Sequence, residues 1–255
     1  MKKALFEVCC GCLEDAVMAE KGGADRIELN SALFLGGLTP SIGTVREVKK
    51  QVSIPAMCMV RPREGGFCYT EYEYATMLQD AKEIVKAGAD GIVFGFLHED
   101  GTVDRERTED FIKEIKQENP NIVTVFHRAI DVVPDVFEAL DTLIELGVDR
   151  VLTSGQRETA VKGAELIRKM LEHADGRIDI LPGGSLNEQN VGDFIRETGV
   201  TSVHASARTI HKDTSVCGNP EIFFGGLIDG KGVPEDEYKV TDPERVQAVC
   251  RALEK

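Results

Sequence analysis

The sequence predicts an α/β chain wound into one closed (β/α)8 barrel, with a long loop before the C-terminal helix. Three observations predict it. The first is a phrase that recurs four times: Gly23-Ala24-Asp25-Arg26-Ile27-Glu28-Leu29, Gly88-Ala89-Asp90-Gly91-Ile92-Val93-Phe94, Gly147-Val148-Asp149-Arg150-Val151-Leu152-Thr153 and, more weakly, Gly199-Val200-Thr201-Ser202-Val203-His204-Ala205. Each copy follows an amphipathic helical stretch. The glycine supplies a positive-φ helix stop, the polar residue turns the chain, and the apolar run is a strand. The second is the interval between copies: 65, 59 and 52 residues, each long enough for two strand–helix units and each holding one further strand candidate. The third is length. Eight such units fill 255 residues as a single domain spanning 1–255.

The strands are expected at 4–9, 25–30, 55–61, 90–95, 122–128, 149–154, 177–182 and 202–206. Helix starts lie between them. Thr39-Pro40 puts proline at a first helical position, and Thr70 with Glu73 fits a capping box. Pro134 opens 134–146, Asn187 caps the helix after the seventh strand, and Asp242-Pro243 opens a closing helix ending near Leu253. The connection 207–241 is unusually long, as lids, binding loops and interface loops are.

Strand alternation assigns faces, since the outer face must be apolar under the helices. Phe6, Val8, Ile27, Leu29, Cys58, Val60, Val203 and Ala205 then point outward. Glu7, Cys9, Arg26, Glu28, Asn30, Met57, Met59, Arg61, Asp179, Ser202, His204 and Ser206 point inward. In the fifth strand either parity leaves an apolar set. A lumen normally filled with branched aliphatics therefore carries charge, and buried charge must be paired. A structural ion network, Glu7 or Glu28 with Arg26 or Arg61, satisfies that requirement. So does a functional site, which such barrels place at the strand C-terminal ends.

A net charge of −14 disfavours nucleic acid and anionic membranes as partners. No stretch reads as a signal peptide or a membrane span. Seven cysteines, an odd number without a secretory context, are expected as reduced thiols in a cytoplasmic protein.

The strand-end phrases Gly36-Gly37-Leu38-Thr39-Pro40-Ser41, Arg61-Pro62-Arg63 with Gly66-Phe67-Cys68-Tyr69, Phe126-His127-Arg128-Ala129 followed by Asp131, and Leu152-Thr153-Ser154-Gly155 together resemble the CutC family of copper homeostasis proteins. The likeness runs from Glu7 to about Ser206. It implies a TIM barrel, a cytoplasmic location, a homo-oligomer and an association with copper. Leu181-Pro182-Gly183-Gly184 departs mildly, lacking a methionine that many relatives carry before the glycines.

Three constellations carry the candidate chemistry. On the upper rim, Glu28, His127 and His204 are candidate proton carriers, and Asn30, Arg61, Arg63, Arg128, Asp131, Thr153, Ser154 and Ser206 are candidate ligands for a small anion. The Gly183-Gly184-Ser185 turn, with Ser206 and Arg208, lies where barrels bind phosphate. Cys9-Cys10-Gly11-Cys12 offers Cys9 and Cys12 as thiolates for Cu(I), the candidate metal ion. No organic cofactor is expected. No lysine lies at a strand C-terminal end, which disfavours Schiff-base chemistry. Two functions follow: copper homeostasis through Cu(I) binding, as the resemblance implies, or an enzyme of the lyase, isomerase or hydrolase type acting on a small phosphorylated or carboxylated metabolite. A non-catalytic regulatory barrel would bind such a ligand without turnover.

Overall fold

A computed structural model describes residues 4–219, 221–222, 227–228, 231–232 and 235–254. Strands and helices alternate as β1 (Leu5–Cys10), α1 (Leu13–Gly22), β2 (Arg26–Leu29), α2 (Ile42–Gln51), β3 (Ala56–Met59), α3 (Glu71–Lys86), β4 (Gly91–Phe94), α4 (Arg105–Glu118), β5 (Val123–Phe126), α5 (Val136–Glu145), β6 (Arg150–Thr153), α6 (Ala164–Ala174), β7 (Asp179–Pro182), α7 (Val191–Thr198) and β8 (Ser202–Ala205). The eight strands are parallel and lie in the order β7-β6-β5-β4-β3-β2-β1-β8. A single bridge, Gly183 with His204, draws the last seam together. The approach is close: a Cβ on Gly183 would stand 2.9 Å from Leu152 Cδ1 and 3.3 Å from His204 Cβ, so a larger residue would have to displace the leucine. This is the TIM-barrel architecture that the recurring phrase predicts.

The phrase has a physical reason. Gly23, Gly88, Gly147 and Gly199 all take positive φ, as helix stops require. The aspartate two residues on then reaches down to the preceding strand. Asp25 accepts the Phe6 N–H at 2.9 Å, Asp90 that of Ala56 at 2.8 Å, and Asp149 that of Thr124 at 2.8 Å. Each carboxylate satisfies a backbone donor at the lower edge of the barrel, where no further strand residue can accept it.

Capping follows the expectation in part. Thr70 and Glu73 form the capping box of α3, and Asp242 caps the closing helix α8 (Pro243–Ala252). Three starts differ. Ser41, not Thr39-Pro40, caps α2. Asp135, the residue after Pro134, caps α5, because its carboxylate accepts two N–H groups and proline has no side-chain acceptor. Asn190 occupies the cap of α7, and Asn187 lies a turn earlier.

The connection after β8 is not a plain loop. It contains β9 (Arg208–Lys212), a 3-10 turn (Thr214–Gly218), a short antiparallel pair β10 (Leu227–Ile228) and β11 (Lys231–Gly232), and β12 (Glu237–Thr241). β9 and β12 pair antiparallel as a ribbon. The buried Asp15 of α1 pins this ribbon to the barrel, accepting N–H bonds from Gly11 at 2.7 Å and Thr241 at 2.6 Å.

Apolar side chains divide into two cores. Phe6, Val8, Ile27, Leu29, Cys58, Ile92, Phe94, Phe126, Val151, Ile180 and Val203 face the helices. Met57, Met59, Val93, Val125, Leu152 and Leu181 form a separate cluster, which resolves the parity of β5 with Val125 inward. These six side chains come from β3 to β7, so apolar packing fills most of that part of the lumen, and the polar residues gather around β8, β1 and β2 apart from Arg150 and Asp179 low on β6 and β7.

Candidate functional site

Strand register brings the polar residues together. Glu7 of β1 stands opposite Arg26 on one side and His204 on the other, and Cys9 stands opposite Glu28. Glu7 is 2% exposed and serves both cationic neighbours: Arg26 Nε donates to Oε2, and His204 Nδ1 lies 2.9 Å from Oε1. Burial alone would raise the Glu7 pKa, but Arg26 and His204 outweigh it and hold the carboxyl at about 2. A second ion pair, Arg150 to Asp179 at 2.6 Å, lies lower on β6 and β7. The structural network is therefore Glu7–Arg26 with Arg150–Asp179. Strand alternation also places Arg150 inside, two residues before Leu152.

Above this network sits a smaller cluster. The ligand atoms of Cys9, Glu28 and His204 all lie within 4.8 Å of one another. Asn30 orients two of them, donating its amide to Glu28 Oε2 at 2.8 Å and to Cys9 Sγ at 3.6 Å. Burial pushes the Glu28 carboxyl up, and its Oε1 is enclosed without a partner. Burial likewise raises the Cys9 thiol. For His204, burial favours the neutral ring, yet Glu28, Cys9 and Glu7 overrule it and raise the pKa well above the ordinary value. An ionised Glu7 can only accept, so it fixes a proton on His204 Nδ1 and turns Nε2 toward Cys9 and Glu28. A carboxylate behind a histidine in this way orients the ring for a metal ion on its far nitrogen.

The remaining rim residues are largely engaged, although His127 Nε2 and Arg61 Nε are enclosed without a partner among the described residues. Cys12 is not a member of the cluster: its sulfur caps α1, accepting the Asp15 N–H at 3.5 Å. His127 is buried against Phe67, with ring centroids 4.8 Å apart, and its Nδ1 accepts the Ala129 N–H. Burial first, then Arg61, lowers its pKa to about 3, so it is neutral near pH 7 and stands apart from Glu28 and His204. Arg61 spends its guanidinium on three carbonyls, Leu35 at 3.0 Å, Gly37 at 3.1 Å and Gly65 at 2.9 Å. Arg63 binds Glu73 and the Gly66 and Cys68 carbonyls. Both arginines fasten rim loops and present no free fork to an anion.

Arg128, Asp131, Thr153 and Ser154 form one closed set. Asp131 accepts from Arg128 Nε at 2.7 Å, Thr153 Oγ1 at 2.6 Å and the Ser154 N–H at 3.0 Å. Gly183 and Gly184 make the turn after β7, and the exposed Ser206 follows β8 across a cleft from it. Lys239 and Arg245 also line that cleft. No sequence motif marks them, because the β9–β12 pairing and α8 bring them there from outside the (β/α)8 repeat.

A profile of the CutC family matches residues 4–209, four-fifths of the chain. The chain belongs to the CutC family. A CutC family protein of Treponema denticola is 52% identical over 99% of this chain and all of its own length. The human copper homeostasis protein cutC homolog is 42% identical over 96% of this chain and 87% of its own. Among solved structures, the putative copper homeostasis protein CutC from Streptococcus agalactiae superposes with a TM-score of 0.74 at 31% identity. It covers 80% of this chain and 98% of that one. The CutC match contains Cys9, Glu28, His204 and Arg208; Lys239 and Arg245 lie beyond it. No helix among the described residues is long and apolar enough to cross a membrane.

Proposed function

We propose that this CutC-family chain serves copper homeostasis by binding Cu(I) in the polar part of its barrel mouth. Cys9 Sγ and His204 Nε2 are the ligands, and the Glu28 carboxylate completes the set. One observation carries the reading: a thiol, an imidazole and a carboxylate converge within 4.8 Å, with the imidazole tautomer fixed from behind by Glu7. Soft thiolate selects Cu(I) over the harder divalent ions, and imidazole is compatible with it. Cys9 is partly exposed, which gives an ion its entry, whereas Cys10 and Cys58 are buried. Binding displaces the thiol proton and the Nε2 proton, so affinity rises with pH. The seven free thiols agree with a reducing cytoplasm, where copper is held as Cu(I). A homo-oligomer is proposed with it, on the family resemblance.

The geometry favours this reading over an enzyme built on the rim, since Arg61 and Arg63 are occupied and His127 is neutral. The proposed site keeps Cys9 and takes His204 in place of Cys12. An anaerobic Cu(I) titration against a competing chelator tests it. The parent should bind one equivalent, and Cys9→Ser and His204→Ala should abolish that binding. Cys12→Ser should leave it intact, and Glu7→Gln should weaken it about ten- to a hundredfold, as loss of an outer-shell partner does. Binding that survives in Cys9→Ser, or that falls equally in Cys12→Ser, would overturn the assignment.

A further inference from the structure

A second site lies beside the first. We propose that the cleft between the β7–α7 turn and the segment after β8 binds a phosphate-class oxyanion, such as the phosphate group of a small monoester. The cleft has a volume of about 440 Å³ and is lined by Ser185, Ser206, Arg208, Lys239 and Arg245 among others. That volume suits a small metabolite.

Charge carries the argument. Three cationic side chains meet here in a chain of net charge −14. Their compensation is incomplete. Among the described residues Arg208 reaches Asp15 alone, at 3.4 Å, and that carboxylate is already taken up by the Gly11 and Thr241 N–H groups. The Arg208 Nε is enclosed without a partner. Arg245 meets Glu188 at 3.4 Å and donates to the Arg208 carbonyl at 2.6 Å, and Lys239 makes no ion pair among the described residues. An oxyanion in the cleft supplies the missing acceptors, and guanidinium groups match its geometry.

The backbone points the same way. Gly184 at φ +111 and Ser185 at φ +60 turn the chain sharply after β7. The N–H groups of Ser185 and Leu186 donate to no acceptor among the described residues. Backbone donors left open by such a turn form an anion-binding concavity. The Ser185 and Ser206 hydroxyls add two donors from facing sides, and a barrel is known to gather phosphate between these two loops. The cleft adjoins the metal cluster through the chain itself: Ser206 is two residues beyond His204, and Arg208 packs over Gly11, two residues beyond Cys9.

The test is calorimetric titration of the full-length, metal-free protein with inorganic phosphate and with glycerol 3-phosphate, at ionic strength held constant with chloride. Arg208→Ala risks unpinning the ribbon, so the informative variants are Lys239→Glu and Ser206→Asp at exposed positions. The parent should bind one equivalent of each probe, and each variant should bind at least about tenfold more weakly, a loss of about 1.4 kcal/mol. Cys9→Ser should bind both probes like the parent, which separates this result from the copper titration. Absence of saturable binding by the parent, or binding undiminished in both variants, would overturn the proposal.

Discussion

Glu7 holds two cationic groups at once, Arg26 on β2 and His204 on β8, and so links three strands through one carboxylate. Strand alternation made its inward direction legible, along with Cys9, Arg26, Glu28 and His204. Which of these pair was not legible, because alternation gives a face and no depth. His127 shows the same gap from the other side. It follows β5 beside Arg128 and reads as a rim proton carrier, yet Phe67, contributed by a loop sixty residues earlier, closes over it. Its pKa of about 3 has a consequence for stability. Between the ordinary value of 6.5 and about 3, the unfolded chain binds a proton that the folded chain refuses. The stability that neutral His127 confers is thus full above 6.5 and falls as pH drops through that window. His127→Gln should lose less stability than the parent between about pH 7 and about pH 5, in urea unfolding at each pH. An equal loss would contradict the assignment of a neutral, buried ring.

At the scale of elements, the recurring Gly-x-Asp phrase marks where strands begin, and this was the most legible feature of the chain. The task of its aspartates was not, since it depends on which strand lies alongside. Asp149 accepts both the N–H and the hydroxyl of Thr124, at 2.8 and 2.6 Å, and Thr124 is fully buried. Asp149→Ala leaves that donor enclosed without a partner, which costs about 1–3 kcal/mol. The loss should appear in chemical denaturation, with Cu(I) affinity unchanged, because the contact lies at the lower edge of the barrel and the Cys9, Glu28 and His204 cluster at the upper. Unchanged stability would remove the carboxylate from its assigned role. The ribbon of β9 and β12 escaped the sequence reading for a related reason. Its two strands are separated by 24 residues with no repeat between them, so only their pairing identifies them.

For the molecule as a whole, the lumen is divided. Met57, Met59, Val93, Val125, Leu152 and Leu181 pack one part as an ordinary barrel interior. The other, on β8, β1 and β2, carries Glu7 with Arg26 low down and the Cys9, Glu28 and His204 cluster above, while a further ion pair, Arg150 with Asp179, lies low on β6 and β7. Packing supplies a rigid ring, and the charged part supplies a pocket whose groups are oriented in advance of any ligand, the condition for a site built on strands. The number and order of strands could be read from the sequence because spacing alone sets them. The division could not, because it arises only when eight separate strands close.

The central claim is that copper meets one sulfur here and not two. X-ray absorption at the copper edge, on protein loaded anaerobically with one equivalent of Cu(I), measures this directly. The expected spectrum shows one sulfur neighbour from Cys9, together with nitrogen or oxygen neighbours and the outer-shell scattering of the His204 imidazole. Two sulfur neighbours without an imidazole signature would place the ion between thiols, as in a Cys9–Cys12 pair, and contradict the site described.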